Sequence, residues 1–372
     1  MLLPIQDAIV NPPSLVSILI NNYNYGRFLG DAIDSALSQS HTNIEVIVVD
    51  DGSADESHKV IAHYGCRIRA VLKSNGGQAS ALNAGFHACN GDLICFLDAD
   101  DIFLPNKVAE LVTTFARYPE IGWCFHQLTL FQNHTGEHLS DSRTCNYGRW
   151  DARTATLAGH PPYVPTALSG LSFRRTLLSR ILPMPESLGI TNDNFLKFAA
   201  LALSPGWMLP AVLALQRIHA NNAYTRRTVG KQQVVGRMEV LLGRFLHERF
   251  PPMFRLAESI FAHGIGRLWA IRECEADLRT EANAFLNSLR FPARQRVTLK
   301  ALYWWVAESF RADHSERRPG TARDEYSNYR HELAQLGDID GREASSKTAV
   351  NGSAPVPGAP GKRSHTPPAE RG

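Results

Sequence analysis

The chain has 372 residues, 44% of them hydrophobic and 20% charged, with a formal net charge of +3. That length buries a large core and exceeds one average domain, and the composition is that of a soluble globular protein. So small a charge gives no ground for nucleic-acid binding, and six cysteines without a Cys-x-x-Cys pair give none for structural zinc or a disulfide framework.

Met1–Pro13 carries an acidic residue and no basic run, which argues against a signal peptide and favours a cytoplasmic protein with reduced thiols. Leu15–Ile20 is predicted as a strand. Arg27–Gln39 follows as an amphipathic helix, with Phe28, Leu29, Ala32, Ile33, Ala36 and Leu37 at helical spacing. Ile44–Val49 is a continuous β-branched run, as in a strand covered on both faces. Asp55–Tyr64 is predicted as helix, Ala70–Leu72 as strand, Gln78–Ala88 as helix and Leu93–Leu97 as strand. Pro105 suits the start of a helix running to about Tyr118. Strands alternating with helices predict an α/β domain with a largely parallel sheet, whose ligands gather outside the carboxyl ends of the strands. Asp50-Asp51 and Asp98–Asp101 both lie at such ends.

From about 120 to 225 the pattern is mixed, with Pro and Gly punctuation. Phe198–Leu215 is almost uncharged and about long enough to span a bilayer, but Ser204-Pro205-Gly206 and Pro210 interrupt it. A buried helix, a turn and a buried strand explain it better. From 228 to 331 the pattern is helical and rich in Arg. Arg255–Arg272 has a stripe of Leu256, Ile260, Gly264, Leu268 and Ile271, and Val297–Phe310 carries Tyr303, Trp304 and Trp305. Packing on the α/β domain or another subunit is the default for these aromatics, and peripheral contact with a membrane's inner face is the alternative. After Gly337 the low hydrophobicity predicts disorder. The expected division is 1–13 as an extension, 14–225 as the α/β domain (halves 14–118 and 119–225), 226–336 as a helical region and 337–372 as a tail.

Phe96–Asp101 holds the carboxylates of Asp98, Asp100 and Asp101 at a strand end, where like charges repel and burial adds desolvation cost. A hard divalent cation relieves both and bridges carboxylates to phosphates, so the expectation is a Mg²⁺ or Mn²⁺ site serving a diphosphate. It is not an EF-hand, because Phe103 and Ala109 stand where such a loop needs Gly and Glu. Upstream, Val48–Ser53 offers a carboxylate beside a turn-forming Gly52, suited to a nucleobase N–H or a ribose hydroxyl. In Asn75–Asn83 the pair Gly76-Gly77 brings backbone N–H groups near a ligand at a helix start, without the Lys of a phosphate loop. Ser17–Asn24 ends a strand with Asn21 and an aromatic, Tyr23, that suits stacking on a base or capping the core.

In order and spacing these stretches resemble the family 2 glycosyltransferases of the GT-A fold, closely from about Val16 to Pro105 and more loosely to about Thr225. The family's Asp-Asp-Gly-Ser matches Asp50–Ser53, its Gly-Gly segment matches Gly76–Asn83, and its Leu-Asp-x-Asp-Asp box matches Leu97–Asp101. The resemblance implies an α/β GT-A fold, a mostly parallel sheet flanked by helices, with a C-terminal helical extension. It implies a donor site in which Asp51 holds the nucleobase and Tyr23 stacks on it, with Asn21, Gly77 and Gln78 alongside. Asp98 would contact ribose or metal, and Asp100 would bind Mn²⁺ or Mg²⁺. Arg217-Ile218-His219-Ala220-Asn221-Asn222 is similar to the segment that closes many of these domains, which implies His219 at the metal or a phosphate, with Arg217 as a charge partner.

Ser169–Arg175 resembles the family's strand ending in basic residues, and the acidic pair that follows in many members corresponds to Asn192-Asp193. Asp193 is the implied general base of an inverting displacement, although it also suits a helix N-cap. The implied partners are a nucleoside-diphosphate sugar donor and a glycan or lipid-linked glycan acceptor. The Gln-x-x-Arg-Trp sequence of processive synthases is missing, with Gly148-Arg149-Trp150 a fragment of it, which points to single-sugar addition. A nucleotidyltransferase and a degenerate sugar-nucleotide-binding module stand as alternatives. The first lacks a basic Gly-rich loop in Ser17–Asn24, and Asn192 favours the second.

Overall fold

A computed structural model describes residues 14–132, 138–139, 146–188, 192–219, 229–272 and 274–315. The tail after Gly337 and the segment 220–228 lie outside the described residues. The first half alternates as expected: β1 (Val16–Asn22), α1 (Gly26–Leu37), β2 (Ile44–Asp50), α2 (Ser57–Tyr64), β3 (Arg69–Leu72), α3 (Gln78–Ala88), β4 (Leu93–Asp98), β5 (Ile102–Phe103) and α4 (Lys107–Arg117). Then come β6 (Trp123–Gln132), β7 (His138–Leu139), β8 (Gly148–Trp150), α5 (Arg153–Leu157), β9 (Leu171–Arg174), α6 (Arg175–Ile181), α7 (Asn192–Leu203) and β10 (Gly206–Ile218). The helices α8 (Val229–Arg249), α9 (Phe254–Ala270), α10 (Ala276–Ser288) and α11 (Phe291–Ser315) complete the described chain.

One sheet runs in the order β3-β2-β1-β4-β9-β6-β10-β5, with β7 on β6 and β8 on β10. The first four strands of that order are parallel, as the β-branched runs predicted. β9 then enters antiparallel between β4 and β6, and β5, β7 and β8 also run against their neighbours. The sheet is thus mixed, its parallel strands in the majority. Both its faces are covered: Ile18, Ile20, Val48 and Leu97 pack with Leu29 and Ile33 of α1 and Leu111 of α4. On the other face lie Leu19 and Val49, where a Cβ on Gly85 of α3 would come within 2.7–2.8 Å of their side chains. Each such buried aliphatic side chain contributes roughly 1.5–3 kcal/mol.

Phe198–Leu215 resolves into the end of α7, a turn and β10, as the interruptions implied. Pro210 sits inside β10, at a register shift between Leu209 and Val212, because proline cannot donate to a ladder and a bulge accommodates it. α8 docks on α7 through Phe250 just past its end, whose ring centroid lies 6.0 Å from that of Phe195, and on the end of α6 through Arg249, which donates to the Leu182 carbonyl at 3.1 Å. α9 is buried between α8 and α11. A charged network sits there: His263 Nδ1 is 3.1 Å from Glu239 and its Nε2 3.5 Å from Glu308, and Arg267 Nε is 3.3 Å from Glu239.

Candidate active site

The parallel register sets Asn22 beside Asp50 and Asn21 beside Asp98, so three neighbouring strands end in polar side chains at one rim. Successive strand residues point oppositely, and these two asparagines serve different neighbours. Asn22 Nδ2 donates to Asp50 at 2.7 Å, whereas Asn21 Nδ2 donates to Asp98 Oδ1 at 2.9 Å. Asp50 also accepts from the Ser53 amide at 3.0 Å and lies 2.8 Å from His58 Nε2. Burial alone would raise its pKa, but the bonds from Ser53, Asn22 and His58 outweigh it and hold Asp50 below the usual carboxylate range. Asp50 therefore shapes the turn. Neither Asn22 nor His58 was singled out from sequence.

Asp51 points the other way and closes on the glycine segment. It accepts from the amides of Gly76 (3.0 Å) and Gly77 (2.7 Å) and from Lys73 Nζ at 2.6 Å. This corrects the expectation that the paired glycines aim their N–H groups at a ligand: those donors turn inward, because a buried carboxylate needs partners. Gly77 takes φ +85° to start α3, and Gly52 takes φ +76°. Tyr23, one residue past β1, is 48% exposed at the rim.

At the end of β4, Asp98 accepts from Asn21 and from Gln78 Nε2 at 3.2 Å. Burial, then the neighbouring Asp100, pushes its pKa up to about 7. Asp101 turns inward, accepting from Ser169 Oγ at 2.6 Å and from the Arg217 amide at 3.1 Å. Burial, then Asp100 and Asp98, raise its pKa well above the ordinary value. Beneath it, Lys107 Nζ donates to the Ser169 carbonyl at 2.6 Å, and burial lowers that lysine's pKa to about 7. The contacts of Ser169 with Asp101 and of Lys107 with Ser169 could not be read from sequence, since they bridge 68 and 62 residues.

Asp100 lies 3.0 Å from His219 Nε2 at the far end of β10. His219 packs on Tyr25 and Phe28, at 5.5 and 4.8 Å between ring centroids. Arg217 Nε donates to the Asp100 carbonyl at 3.0 Å and its Nη2 lies 2.7 Å from Asp31. The rest of that closing segment, Ala220-Asn221-Asn222, lies outside the described residues. On the opposite wall Asn192, fully buried at the start of α7, donates to Gln78 Oε1 at 3.0 Å. Asp193 is 2.9 Å from Lys197 Nζ, which also donates to the Thr166 carbonyl at 3.1 Å. Asp193 is near enough to Asp98 to help raise its pKa.

The donor set is compatible with a divalent cation. A carboxylate oxygen and an imidazole nitrogen converge at Asp100 and His219, next to a carboxylate whose pKa burial and then like charge have raised. Among the described residues no group of three His, Cys, Asp or Glu side chains surrounds a common metal position.

A sequence profile described as Glycosyl transferase family 2 matches residues 17–173. An uncharacterized glycosyltransferase of Nostoc sp. is 33% identical over 224 residues, which is 59% of this chain and 69% of that protein. The hyaluronan synthase of Pasteurella multocida is 34% identical over 163 residues, 43% of this chain but only 17% of that much longer protein. In fold, S. aureus TarS 1–349 in complex with UDP-GlcNAc is similar, with a TM-score of 0.56 at 14% identity over 82% of this chain and 91% of that one. The rim of acids at the ends of β2 and β4, the sheet that carries it and these relatives agree: the chain belongs to glycosyl transferase family 2.

Proposed function

We propose that this glycosyltransferase moves one sugar from a nucleoside-diphosphate donor to an acceptor hydroxyl, with inversion, as an enzyme of glycan or glycoconjugate synthesis. The carrying observation is the convergence of two walls. Asn21, Gln78 and Asp98 form the donor rim, and Asn192-Asp193 faces it through the Asn192–Gln78 bond. In this reading the nucleotide sits at the carboxyl ends of β1 and β2 beside Tyr23 and the turn that Asp51 holds.

Asp100 and His219 would hold Mn²⁺ or Mg²⁺, which when bound neutralises charge on the departing diphosphate. Asp193, oriented by Lys197, accepts the proton of the acceptor hydroxyl. That oxygen bonds to the anomeric carbon on the face opposite the diphosphate as the old C–O bond breaks, a single displacement that inverts the centre. TarS as a structural neighbour in complex with UDP-GlcNAc supports a nucleotide-sugar donor.

Thermal shift with UDP, GDP, dTDP and CDP, each with and without Mn²⁺, tests the donor site, since a ligand of the folded state alone raises its stability. One nucleotide is expected to act in a metal-dependent way. Asp193→Asn should keep that shift and lose transfer by roughly 10²-fold or more. The absence of any shift would overturn the donor site, and full transfer by Asp193→Asn would overturn the base.

A further inference from the structure

Asp98, Asp100 and Asp101 are neighbours in sequence, yet their carboxylates face three ways. Asp98 meets Asn21 and Gln78, Asp100 meets His219, and Asp101 turns into the protein, where it is 2% exposed. Nothing in the local sequence imposes this sorting. A serine hydroxyl carries one donor and two acceptor lone pairs, and that of Ser169 is used at both ends of the turn. It accepts from the Asp98 amide at 3.0 Å and donates to Asp101 Oδ2 at 2.6 Å. Between those two contacts the Asp101 amide closes the turn on the Asp98 carbonyl at 3.0 Å.

Ser169 is fully buried and is itself held in place. It sits in the helical turn Leu168–Gly170 directly before β9, and its carbonyl accepts from Lys107 Nζ of α4 at 2.6 Å. Arg217 of β10 completes the hold from the other side. Its amide donates to Asp101 Oδ1 at 3.1 Å and its Nε to the Asp100 carbonyl at 3.0 Å. Both oxygens of Asp101 are thereby engaged inside the protein, while the Asp100 carboxylate is presented to His219 at 3.0 Å. Removing the Ser169 hydroxyl takes a partner from the Asp98 amide and from a buried carboxylate at once, the costly way to lose a hydrogen bond. Relief would come from rotation of Asp101 toward the rim, which moves Asp100 with it.

We infer that Ser169 is a positioning residue for the cation site: its hydroxyl locks Asp101 inward so that Asp100 faces His219. The inference rests on the reading of Asp100 and His219 as the metal pair. It is tested by the electron paramagnetic resonance signal of free Mn²⁺, titrated with the full chain alone and with UDP, GDP, dTDP or CDP. Ser169→Ala should weaken Mn²⁺ binding by about tenfold, the equivalent of one net hydrogen bond. Ser169→Cys keeps the side chain's shape but donates weakly, so it separates the hydrogen bond from packing and serves where the alanine variant does not fold. Its Mn²⁺ affinity should fall too, with a melting temperature close to that of the native chain. Native Mn²⁺ affinity in either folded variant would overturn the inference, and a lowered melting temperature beside it would leave Ser169 a merely structural part. Absence of Mn²⁺ binding by the native chain with every nucleotide is a different result, since it removes the metal pair itself and the inference with it.

Discussion

Asn192 Nδ2 donates to Gln78 Oε1 at 3.0 Å, a bond between side chains 114 residues apart, and Gln78 Nε2 in turn donates to Asp98 at 3.2 Å. The amide of Asn192 thus fixes which end of Gln78 faces the acidic rim. A carboxylate cannot donate, so an acid at this position would turn the Gln78 amide around and take its N–H away from Asp98.

Asn192→Asp should therefore lower turnover several-fold even though it restores the acidic pair of the family's pattern. It also places a charge at a fully buried site, which should reduce stability by about 1–3 kcal/mol. Urea unfolding run beside donor-hydrolysis kinetics checks this. Unchanged values in both would show that the bond orients nothing.

Asp100→Asn separates metal chemistry from folding. Burial and then the charge of Asp100 raise the pKa values of Asp98 and Asp101, so removing that charge relieves like-charge repulsion between them. The melting temperature of the ligand-free variant should hold or rise, while turnover falls roughly 10²-fold or more. The Mn²⁺-dependent part of the nucleotide shift should vanish. Its persistence would remove Asp100 from the metal site.

Two glycines at the rim should respond unequally to alanine. Gly77 has φ +85° with nothing near the added methyl, so Gly77→Ala should cost about 1 kcal/mol from backbone strain. At Gly52, φ is +76° and a Cβ would lie 2.7 Å from the Asn75 amide nitrogen. Gly52→Ala should cost several kcal/mol, of the order seen when a tight site is overfilled, and should weaken nucleotide binding by displacing Asp51. Equal costs from chemical denaturation would contradict the structure here.

The helical region should lose stability as pH rises. Burial opposes the charged form of His263, but Glu239 and Glu308 overcome it, and its pKa lies above the ordinary 6.5. A group raised on folding contributes stability that is complete below its unfolded pKa and lost as pH passes the folded one. Glu239 is lowered despite burial, by His263 and Arg267, and its contribution is lost only as pH falls below the ordinary 4.5. The network is therefore strongest between these two ordinary values and weakens above 6.5. His263→Gln should flatten the alkaline slope of unfolding free energy by up to about 1.4 kcal/mol per pH unit. An unchanged slope would exclude His263 as its source.

Much of the first half was legible because local pattern and tertiary role coincide there. Ile44–Val49 reads as a strand covered on both sides and is one, and the acids that end β2 and β4 announce the rim. What each acid touches was not legible. Asp50 and Asp51 are neighbours in sequence, yet one turns to Asn22 and the other to Gly77, and only the fold brings those partners within reach. The same holds for Asp101 with Ser169 and for His263 with Glu308. The antiparallel course of β9 was also hidden, since a four-residue strand carries too little pattern to declare its direction. In α9 the apolar stripe of Leu256, Ile260 and Leu268 gave only one of two packed faces, because Gly264 and Gly266 admit α8 and α11 at backbone distance.

β9 lies between β4 and β6 although its residues, Leu171–Arg174, follow both of them in the chain. A fragment ending before it would leave β4 with a bare, apolar edge, a template for aggregation rather than a folded piece. The rim at the ends of β2, β1 and β4 is accordingly not a cassette that can be cut out of the sheet. Grafting experiments should therefore exchange the loops and helices around one indivisible sheet while leaving the strand order intact.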